Sequence, residues 1–311
     1  MVDVVIVGSV ALDSIETPHG SAERALGGAA TYASIAASYF AQPGVVGVVG
    51  GDFPKKHIKA LCKRGVDLEG LEIIADGKTF FWRGRYEANL NDRTTLDTQL
   101  NVFQTFSPKL PASYRERPFL LLGNIHPDLQ LKVLDQVERP RLVLCDTMNL
   151  WIEKAPGTLR RLLRRIDVLC VNDSEARQLS GCASVPAAAE WLLAAGPTRV
   201  VVKRGEYGCS LFSQRGFFSI PAYPVRRPVD PTGAGDTFAG GFLGYLASCA
   251  HLDETTVHQA LVVGSAMASF CVEGFSVGAM LKLKQSDVAA RCRDLHRATQ
   301  FEPIHFARWL A

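Results

Sequence analysis

The chain has 311 residues, of which 47% are hydrophobic and 21% are charged, and its net charge at pH 7 is +3. This length and composition allow one large α/β domain, and so small a net charge gives no indication of nucleic-acid binding. Neither a signal peptide nor an apolar run long enough to span a membrane is evident. We therefore expect a cytoplasmic protein without a nucleic-acid or membrane partner.

Cysteine usage fits that expectation. The chain has eight cysteines, and they form neither a CxxC pair nor a Cys/His metal-ligand spacing. Several lie inside apolar runs, where a cysteine in a reducing compartment acts as a small buried hydrophobe.

Buried strands alternate with amphipathic helices along most of the chain. The first strand is predicted over Val2 to Leu12 and the first helix over Gly27 to Ala41, with a polar segment, Asp13 to Arg24, between them. Later strand and helix pairs are FLLLGN with PDLQLKVLDQV, LVLCDTM with TLRRLLRR, and DVLCVN with SEARQLSG. The repeated β-then-α order predicts a mainly parallel sheet covered by helices on both faces, a three-layer α/β/α fold.

The stretch from Leu71 to Phe106 breaks this alternation. Its clearest element is a strand, KTFFWRGRYEANL, whose two faces are both partly apolar. Alternation places Phe80, Trp82 and Tyr86 on one face and Phe81, Arg83 and Arg85 on the other. One explanation is an ordinary hairpin packed on its own domain.

The segment Pro228 to Leu243, PVDPTGAGDTFAGGFL, places glycines and a carboxylate where a loop becomes a helix. Gly233 and Gly235 bracket Ala234, so backbone N–H groups can converge there on an anion. Asp236 stands in the first turn of the helix and would project over the same end. Glycine turns and acidic first turns are common on their own, but here a base beside a phosphate cradle suggests phosphoryl transfer to a hydroxyl.

A second candidate pair lies in VNDSEARQL. Asn172 and Glu175 have the spacing of a helix capping box, which is the favoured reading when they are taken alone. The same amide and carboxylate could hold hydrated Mg²⁺ against phosphates, and the two roles can coexist. The chain has no GxGxxG after the first strand and no GxxxxGK[ST], which argues against a Rossmann dinucleotide site and a P-loop.

Pro228 to Leu243 resembles the C-terminal signature of the ribokinase-like (PfkB) family of carbohydrate and nucleoside kinases, and nearly the whole chain follows that family in order. The resemblance implies one ribokinase-like domain over residues 1–311, with a small β-lid from about 13–24 and 71–106. Such a lid covers the substrate with one face and often pairs with a second subunit through the other, so a homodimer is possible. The implied cofactors are ATP and Mg²⁺.

The resemblance also implies contacts with the acceptor. Asp13 stands where relatives bind sugar hydroxyls, and Gly27 and Gly28 match the paired glycines that let the substrate approach the backbone. Relatives have an asparagine where this chain has Tyr32, and an aromatic ring can stack or donate one hydrogen bond but cannot replace an amide. Asn124, at the end of FLLLGN, is a further candidate.

On the donor side, VVKRGEYGCSLF resembles the nucleotide-binding turn. Gly205 and Gly208 would let backbone groups reach the ATP phosphates, Lys203 would supply charge, and the alternative is a simple β-hairpin. The implied catalytic set is Asp236 as base with Gly233, Ala234 and Gly235 as anion cradle. Two further residues, Asp230 and Thr232, with the loop Glu273 to Gly278, resemble a site for a monovalent cation such as K⁺, and Thr232 is also a cofactor-binding candidate.

The identity of the acceptor stays open from the sequence. The aromatic residues favour a nucleoside phosphorylated at its 5′-hydroxyl, whereas ribose, fructose or a related polyol is the alternative. A third class, a non-catalytic regulator with the same fold, would be expected to lack the base or the magnesium element. This chain retains Asp236, Asn172 and Glu175.

Overall fold

The structure is a computed structural model that describes residues 3–300 and residue 302. Met1, Val2, Phe301 and residues 303–311 of the predicted domain lie outside the described residues. The strands are β1 (Val4–Val7), β2 (Ala11–Thr17), β3 (Gly20–Gly27), β4 (Pro43–Gly50), β5 (Asp67–Ile74), β6 (Phe80–Tyr86), β7 (Arg93–Gln99), β8 (Phe119–Leu122), β9 (Leu142–Asp146), β10 (Val168–Asn172), β11 (Arg199–Lys203), β12 (Cys209–Ser213) and β13 (Gly216–Ile220).

The helices follow the predicted alternation. They are α1 (Ala29–Ala37), α2 (Lys55–Lys63), α3 (Ala112–Arg115), α4 (Pro127–Leu134), α5 (Asn149–Lys154), α6 (Pro156–Leu163), α7 (Asp173–Ser180), α8 (Val185–Ala194), α9 (Ala234–Ser248), α10 (Glu254–Cys271) and α11 (Gln285–Ala298). Short 3₁₀ helices cover Asn101–Thr105, Gly205–Tyr207 and Met280–Lys282. None of the helices in the described part of the chain is long and apolar enough to cross a membrane.

The large sheet has nine strands in the order β13-β12-β11-β10-β9-β8-β1-β4-β5. Neighbouring strands from β11 to β5 are parallel, and β12 and β13 are antiparallel. The difference follows from the connections, because β11 reaches β12 through a short turn whereas parallel neighbours need a longer crossover. The predicted mainly parallel sheet is confirmed.

Alternate residues of the buried strands pack into two different cores. In β1, Val4 and Ile6 join a core shared with α1, α9 and α10, and Val5 and Val7 join a core shared with α4 to α8. Side chains on a strand point to opposite faces with a period of two, so each face of the sheet is covered by its own helices. The three-layer α/β/α prediction is confirmed.

Helices α1 and α9 pack unusually close together. A Cβ atom at Gly240 would lie 2.1 Å from the carbonyl oxygen of Ala33, and one at Gly244 would lie 2.7 Å from the Cα atom of Ala37. Only glycine leaves room for the backbone of α1 at these positions. This contact fixes α9, whose first two residues, Ala234 and Gly235, belong to the predicted anion cradle.

A separate four-stranded sheet has the order β3-β2-β6-β7, and we call it the lid because it contains most of the segments where the sequence predicts one. Its strands correct the predicted lid boundaries of 13–24 and 71–106. The polar segment 13–24 belongs to two paired strands, β2 and β3, that extend from residue 11 to residue 27. Residues Leu71 to Ile74 belong to β5 of the large sheet, because they pair in parallel with β4.

The two faces of β6 are both partly apolar because each packs on this chain. Trp82 clusters with Ile15, Tyr86 and Leu90. Phe81 packs against the large core. The aromatic ring of Trp82 lies against Gly84, and a Cβ atom at Gly84 would lie 2.2 Å from that ring. A hairpin packed on its own domain therefore explains why Phe81 is apolar.

Candidate active site

A cleft of about 950 Å³ lies between the lid and the carboxyl ends of the parallel strands. In a parallel α/β sheet, ligands bind at this edge, where strand ends and helix N-termini meet. The cleft brings together ten of the predicted site residues: Asn124, Asn172, Glu175, Lys203, Gly205, Gly208, Gly233, Ala234, Gly235 and Asp236. The remaining six do not line it: Asp13, Gly27, Gly28, Tyr32, Asp230 and Thr232.

The N-terminus of α9 forms the floor of the cleft. Gly233 is the N-cap residue with φ of 74°, a left-handed conformation that favours glycine. A Cβ atom at Gly235 would lie 3.0 Å from Nζ of Lys203, so the missing side chain lets the ammonium group approach the backbone. Free N–H groups and the positive end of the helix dipole make this terminus a site for an anion.

Asp236 lies in the first turn of α9 and is half-buried in the cleft wall. Burial, followed by the negative charge of Asp146, raises the pKa of Asp236 to about 7. The nearby Lys203 acts in the opposite direction and favours the ionised carboxylate. A carboxylate with a pKa close to neutrality is suited to accept a proton.

Lys203 and Asp146 form an ion pair at the ends of β11 and β9, with Nζ 3.2 Å from Oδ2. Burial disfavours the charged ammonium, but the negative charges of Asp146, Glu175 and Asp236, together with Cys170, outweigh it and hold the pKa of Lys203 above its ordinary value. The pair places a fixed positive charge beside Gly235. The sequence motifs predict Lys203 but not Asp146. Asp146 is the last residue of a buried strand that ends at the same edge of the large sheet as Asn172.

Asn172 and Glu175 form the predicted capping box at the start of α7. Oδ1 of Asn172 accepts from the backbone N–H of Glu175 at 2.7 Å, and Oε2 of Glu175 accepts from the N–H of Asn172 at 2.8 Å. Burial, and then Asp146, raise the pKa of Glu175 to about 7. Among the described residues, no group donates a hydrogen bond to Oε1 of Glu175, so the capping box leaves this oxygen available to a hydrated cation.

The turn between β11 and β12 is a hairpin with a 3₁₀ turn over Gly205–Tyr207. Gly205 and Gly208 have φ of 53° and 92°. A Cβ atom at Gly208 would lie 2.1 Å from the carbonyl oxygen of Ile220. The β-hairpin alternative is therefore observed, and Gly205 and Gly208 line the cleft wall, whereas their contact with the ATP phosphates stays a prediction.

Asp13 and Gly27 fit together behind the cleft. A Cβ atom at Gly27 would lie 1.9 Å from Oδ2 of Asp13, so this glycine makes room for the carboxyl group. Asp13 is 5% exposed, and burial together with the charge of Asp230 raises its pKa to about 7. Gly28 has φ of 94° and a Cβ atom there would lie 2.4 Å from the carbonyl oxygen of Ser9.

Tyr32 supports the anion cradle from below. A Cβ atom at Gly233 would lie 2.4 Å from the Tyr32 ring, and the ring is 1% exposed. Its hydroxyl group is buried without a hydrogen-bond partner among the described residues. This position corrects the expectation that Tyr32 offers a stacking surface to the acceptor, because no face of the ring is open.

Asp230 is fully buried, and both of its carboxylate oxygens accept backbone hydrogen bonds. Oδ1 accepts from the N–H of Thr232 at 2.8 Å and Oδ2 from the N–H of Ser276 at 3.2 Å. The hydroxyl group of Thr232 donates to Oη of Tyr86 in the lid at 3.1 Å. Asp230 therefore joins the loop before the cradle to the loop after α10. In the part of the chain that the structure describes, no three His, Cys, Asp or Glu residues form a metal cage.

A family model described as pfkB family carbohydrate kinase matches residues 1–283. The chain belongs to this family. It is 32% identical to the cytidine kinase of Thermococcus kodakarensis over 252 residues, which cover 79% of this chain and 89% of that protein. It is 24% identical to the aminoimidazole riboside kinase of Salmonella typhimurium, over 91% of this chain and 92% of that protein.

Solved structures show the same fold. The nucleoside kinase of Burkholderia thailandensis in complex with ADP and inosine superposes with a TM-score of 0.79 at 18% identity, covering 94% of this chain and 95% of that chain. The nucleoside kinase of Methanocaldococcus jannaschii gives a TM-score of 0.75 at 20% identity, covering 94% of this chain and 98% of that chain. The ribokinase-like fold class is confirmed.

As a pfkB family kinase, the protein is a phosphotransferase that uses ATP and a divalent metal to phosphorylate a hydroxyl group of a nucleoside or small sugar. The residues present fit these cofactors. The glycine cradle of α9 and the ammonium group of Lys203 provide positive groups for phosphates, and Oε1 of Glu175 provides the kind of oxygen that a hydrated Mg²⁺ ion binds.

Proposed function

We propose that this kinase phosphorylates nucleosides at the 5′-hydroxyl group. The observation that carries the proposal is that Asp236 follows the Gly233 to Gly235 cradle in the first turn of α9 and lines the same cleft as residues of the lid. The similarity to a cytidine kinase over most of both chains supports a nucleoside rather than a bare sugar. The 5′-hydroxyl is the primary alcohol of a nucleoside and is therefore the least hindered acceptor.

Asp236 would act as the base of the reaction. Its carboxylate would orient the acceptor hydroxyl and accept its proton as the oxygen attacks the γ-phosphorus in line with the leaving oxygen. The N–H groups of Gly233, Ala234 and Gly235 would stabilise the charge on the transferring phosphoryl oxygens. Lys203 would add a positive charge at the same place, held there by Asp146.

On the donor side, we assign the turn from Gly205 to Gly208 to the ATP phosphates. Glu175 and Asn172 would orient the waters of the Mg²⁺ ion, which neutralises phosphate charge when bound. Closure of the lid would exclude water and suppress ATP hydrolysis.

The acceptor would lie between the lid, whose strand β2 carries Asp13, and the N-terminus of α9. The proposed contacts are hydrogen bonds from sugar hydroxyls to Asp13 and Asn124 and to the backbone at Gly27 and Gly28. Oδ1 of Asn124 already accepts from Nε1 of Trp151 at 2.9 Å, so its amide N–H₂ group is the part that would donate to the acceptor.

The experiment is a panel of acceptors assayed with ATP and Mg²⁺. Cytidine, uridine, adenosine, inosine, ribose, fructose and inositol are compared by kcat/KM, and ³¹P NMR identifies the phosphorylated position. We expect a nucleoside to give the highest kcat/KM and a 5′-monophosphate product. A free sugar that exceeds every nucleoside tenfold would overturn the nucleoside assignment and leave a sugar kinase.

Two finer features are also proposals. Asp230 and Thr232, with the loop Glu273 to Gly278, are the candidate site for K⁺, since Asp230 is a buried carboxylate without a Lys or Arg partner among the described residues. Replacing KCl by choline chloride in the assay should lower kcat; equal rates in both salts would exclude a K⁺ requirement.

We also propose a homodimer through the lid in the cytoplasm. The lid edge and the neighbouring edge of the large sheet expose large apolar side chains, namely Ile73, Ile74, Leu96 and Leu100. All eight cysteines are free, which fits a reducing compartment. Light scattering should give about 68 kDa, twice the 33.8 kDa of one chain; a monomer mass at assay concentration would exclude the dimer.

A further inference from the structure

Arg93 is a lid residue that faces the catalytic cleft. It is the first residue of β7 and lines the cleft together with Tyr86, Asn89, Leu90 and Asn91 of the β6–β7 hairpin. Its guanidinium carbon lies 5.2 Å from the ring centroid of Trp82, and stacking of this kind holds an arginine side chain in a defined direction. The β6–β7 hairpin therefore presents a cation to the cleft.

Carboxylates outnumber cations among the described residues that line the cleft. The described carboxylates that line the cleft are Asp146, Glu175, Glu206 and Asp236. Lys203 and Arg93 are the lining cations among the described residues. Lys203 is already paired with Asp146, whereas Arg93 has no carboxylate within ion-pair distance in the part of the chain that the structure describes. Among the described residues that line the cleft, Arg93 is therefore the cation without a carboxylate partner and is available to bind a polyphosphate beside the paired Lys203.

The electrostatic influence of Arg93 extends to both sides of the cleft. Its positive charge contributes to lowering the pKa of Asp13 behind the acceptor side. It acts in the same direction on the pKa of Glu175 at the proposed metal position. A residue that lines the cleft therefore acts on carboxylates of both the acceptor side and the proposed metal position.

The tip of the hairpin also reaches the nucleotide turn. Oδ1 of Asn91 lies 3.6 Å from the position that a Cβ atom of Gly205 would occupy. At the base of the same tip, Oη of Tyr86, the residue paired with Arg93 across the two strands, accepts from the hydroxyl of Thr232, next to the glycine cradle. The tip of the hairpin therefore contacts both the donor turn and the segment before the cradle, and Arg93 lies at the base of this tip.

We infer that Arg93 binds the γ-phosphate of ATP, so that the lid recognises the donor as well as covering the acceptor. This inference rests on the proposed function for the identity of the bound polyphosphate. A guanidinium group offers two parallel N–H donors to two phosphate oxygens, which suits the terminal phosphate better than a bridging one. The negative charge of that phosphate would draw the hairpin onto the nucleotide.

The test compares Arg93→Gln with Arg93→Lys and with a matched control, Arg85→Gln. Arg85 lies on the same hairpin but is exposed and paired with Glu16 at 2.7 Å, away from the cleft lining. Binding of Mg²⁺-ADP and of the β,γ-imido analogue of ATP is measured by calorimetry, and kcat and KM for ATP and for the acceptor are measured by steady-state assay. Circular dichroism confirms that each variant is folded.

We expect Arg93→Gln to weaken binding of the imido analogue about tenfold or more, as for the loss of a charge-assisted hydrogen bond, and to leave ADP binding within about twofold. Arg93→Lys should restore part of the affinity, and Arg85→Gln should change neither ligand. Equal weakening of ADP and the analogue, or an increase in the acceptor KM alone, would overturn the inference. The calorimetry decides it even if no acceptor in the panel is phosphorylated, which would overturn only the proposed function.

Discussion

The reactivity of the cleft depends on which carboxylates surround Asp236. Burial and Asp146 both disfavour its charge, and Lys203 partly compensates. We therefore expect Asp236 to be ionised less completely at neutral pH than an ordinary aspartate. As the pH is lowered, an enzyme with such a base loses activity at a higher pH than an enzyme whose base is an ordinary aspartate.

The pH dependence of kcat/KM should show this directly. Because only the ionised carboxylate accepts the proton, kcat/KM should fall about tenfold per pH unit below a pKa near 7 and level off above it. In Asp146→Asn the acidic limb should move to lower pH, since one repelling charge is lost and Lys203 is no longer neutralised.

Asp13 also has a pKa of about 7. The Asp146→Asn variant distinguishes titration of Asp236 from titration of Asp13. Asp146 is not among the charges that shift the pKa of Asp13. An acidic limb that keeps its position in Asp146→Asn, measured over pH 5 to 9 at saturating Mg²⁺, would contradict the assignment of the limb to Asp236.

The two roles proposed for Glu175 can be separated by two variants. Glu175→Gln keeps an oxygen for the capping box but loses the charge, so the Mg²⁺ concentration for half-maximal activity should rise while the thermal midpoint stays close to that of the wild type. Glu175→Ala should show the same Mg²⁺ effect and also lose about 0.5 to 1.5 kcal/mol of stability, because the hydrogen bond from the N–H of Asn172 is lost. If Glu175→Gln leaves the Mg²⁺ titration unchanged, the residue is only a helix cap.

At the scale of elements, the contact between α1 and α9 fixes the cradle in the cleft. Glycines on α9 bring the backbones of the two helices together, and Tyr32 of α1 lies against the N-cap residue Gly233. The position of the cradle therefore depends on packing as well as on the turn sequence. A change in this contact should affect both stability and turnover.

Gly240→Ala tests that dependence. The added methyl group would lie 2.1 Å from the carbonyl oxygen of Ala33, so α9 must shift, and we expect a loss of about 1 to 3 kcal/mol and a lower kcat. The matched control is Gly157→Ala in α6, where nothing lies within 4 Å of the new Cβ atom. There the better helix propensity of alanine should leave stability equal or slightly higher. Equal denaturation midpoints for the two variants would contradict the close packing.

At the scale of the whole molecule, the sequence predicts the topology better than the lid and the site. Local periodicity and the β-then-α order determine a parallel sheet, and the motifs place Asp236, Glu175 and Lys203 at one edge of it. The boundary of the lid depends on whether β5 pairs with a lid strand or with the large sheet. Its partner is β4 of the large sheet, which is distant in the sequence.

Residues outside a recognisable motif were found only in the structure. Asp146 and Arg93 carry no local signal of their own, because each gains its role from neighbours that arrive from other strands. Tyr32 was identified as unusual for the family, but its burial against Gly233 follows from the approach of α1 to α9. Sequence patterns report the local chain, whereas these roles depend on tertiary contacts.

The most direct test of the account is the turnover of Asp236→Asn. The substitution keeps the shape of the side chain and removes proton acceptance, so kcat should fall roughly 10²- to 10⁴-fold while binding of the imido analogue of ATP changes little. The control is Asp76→Asn in an exposed turn, which should behave as the wild type. The measurement is ADP release under saturating ATP, Mg²⁺ and the best nucleoside. Near wild-type turnover of Asp236→Asn would contradict the role of Asp236 as the base.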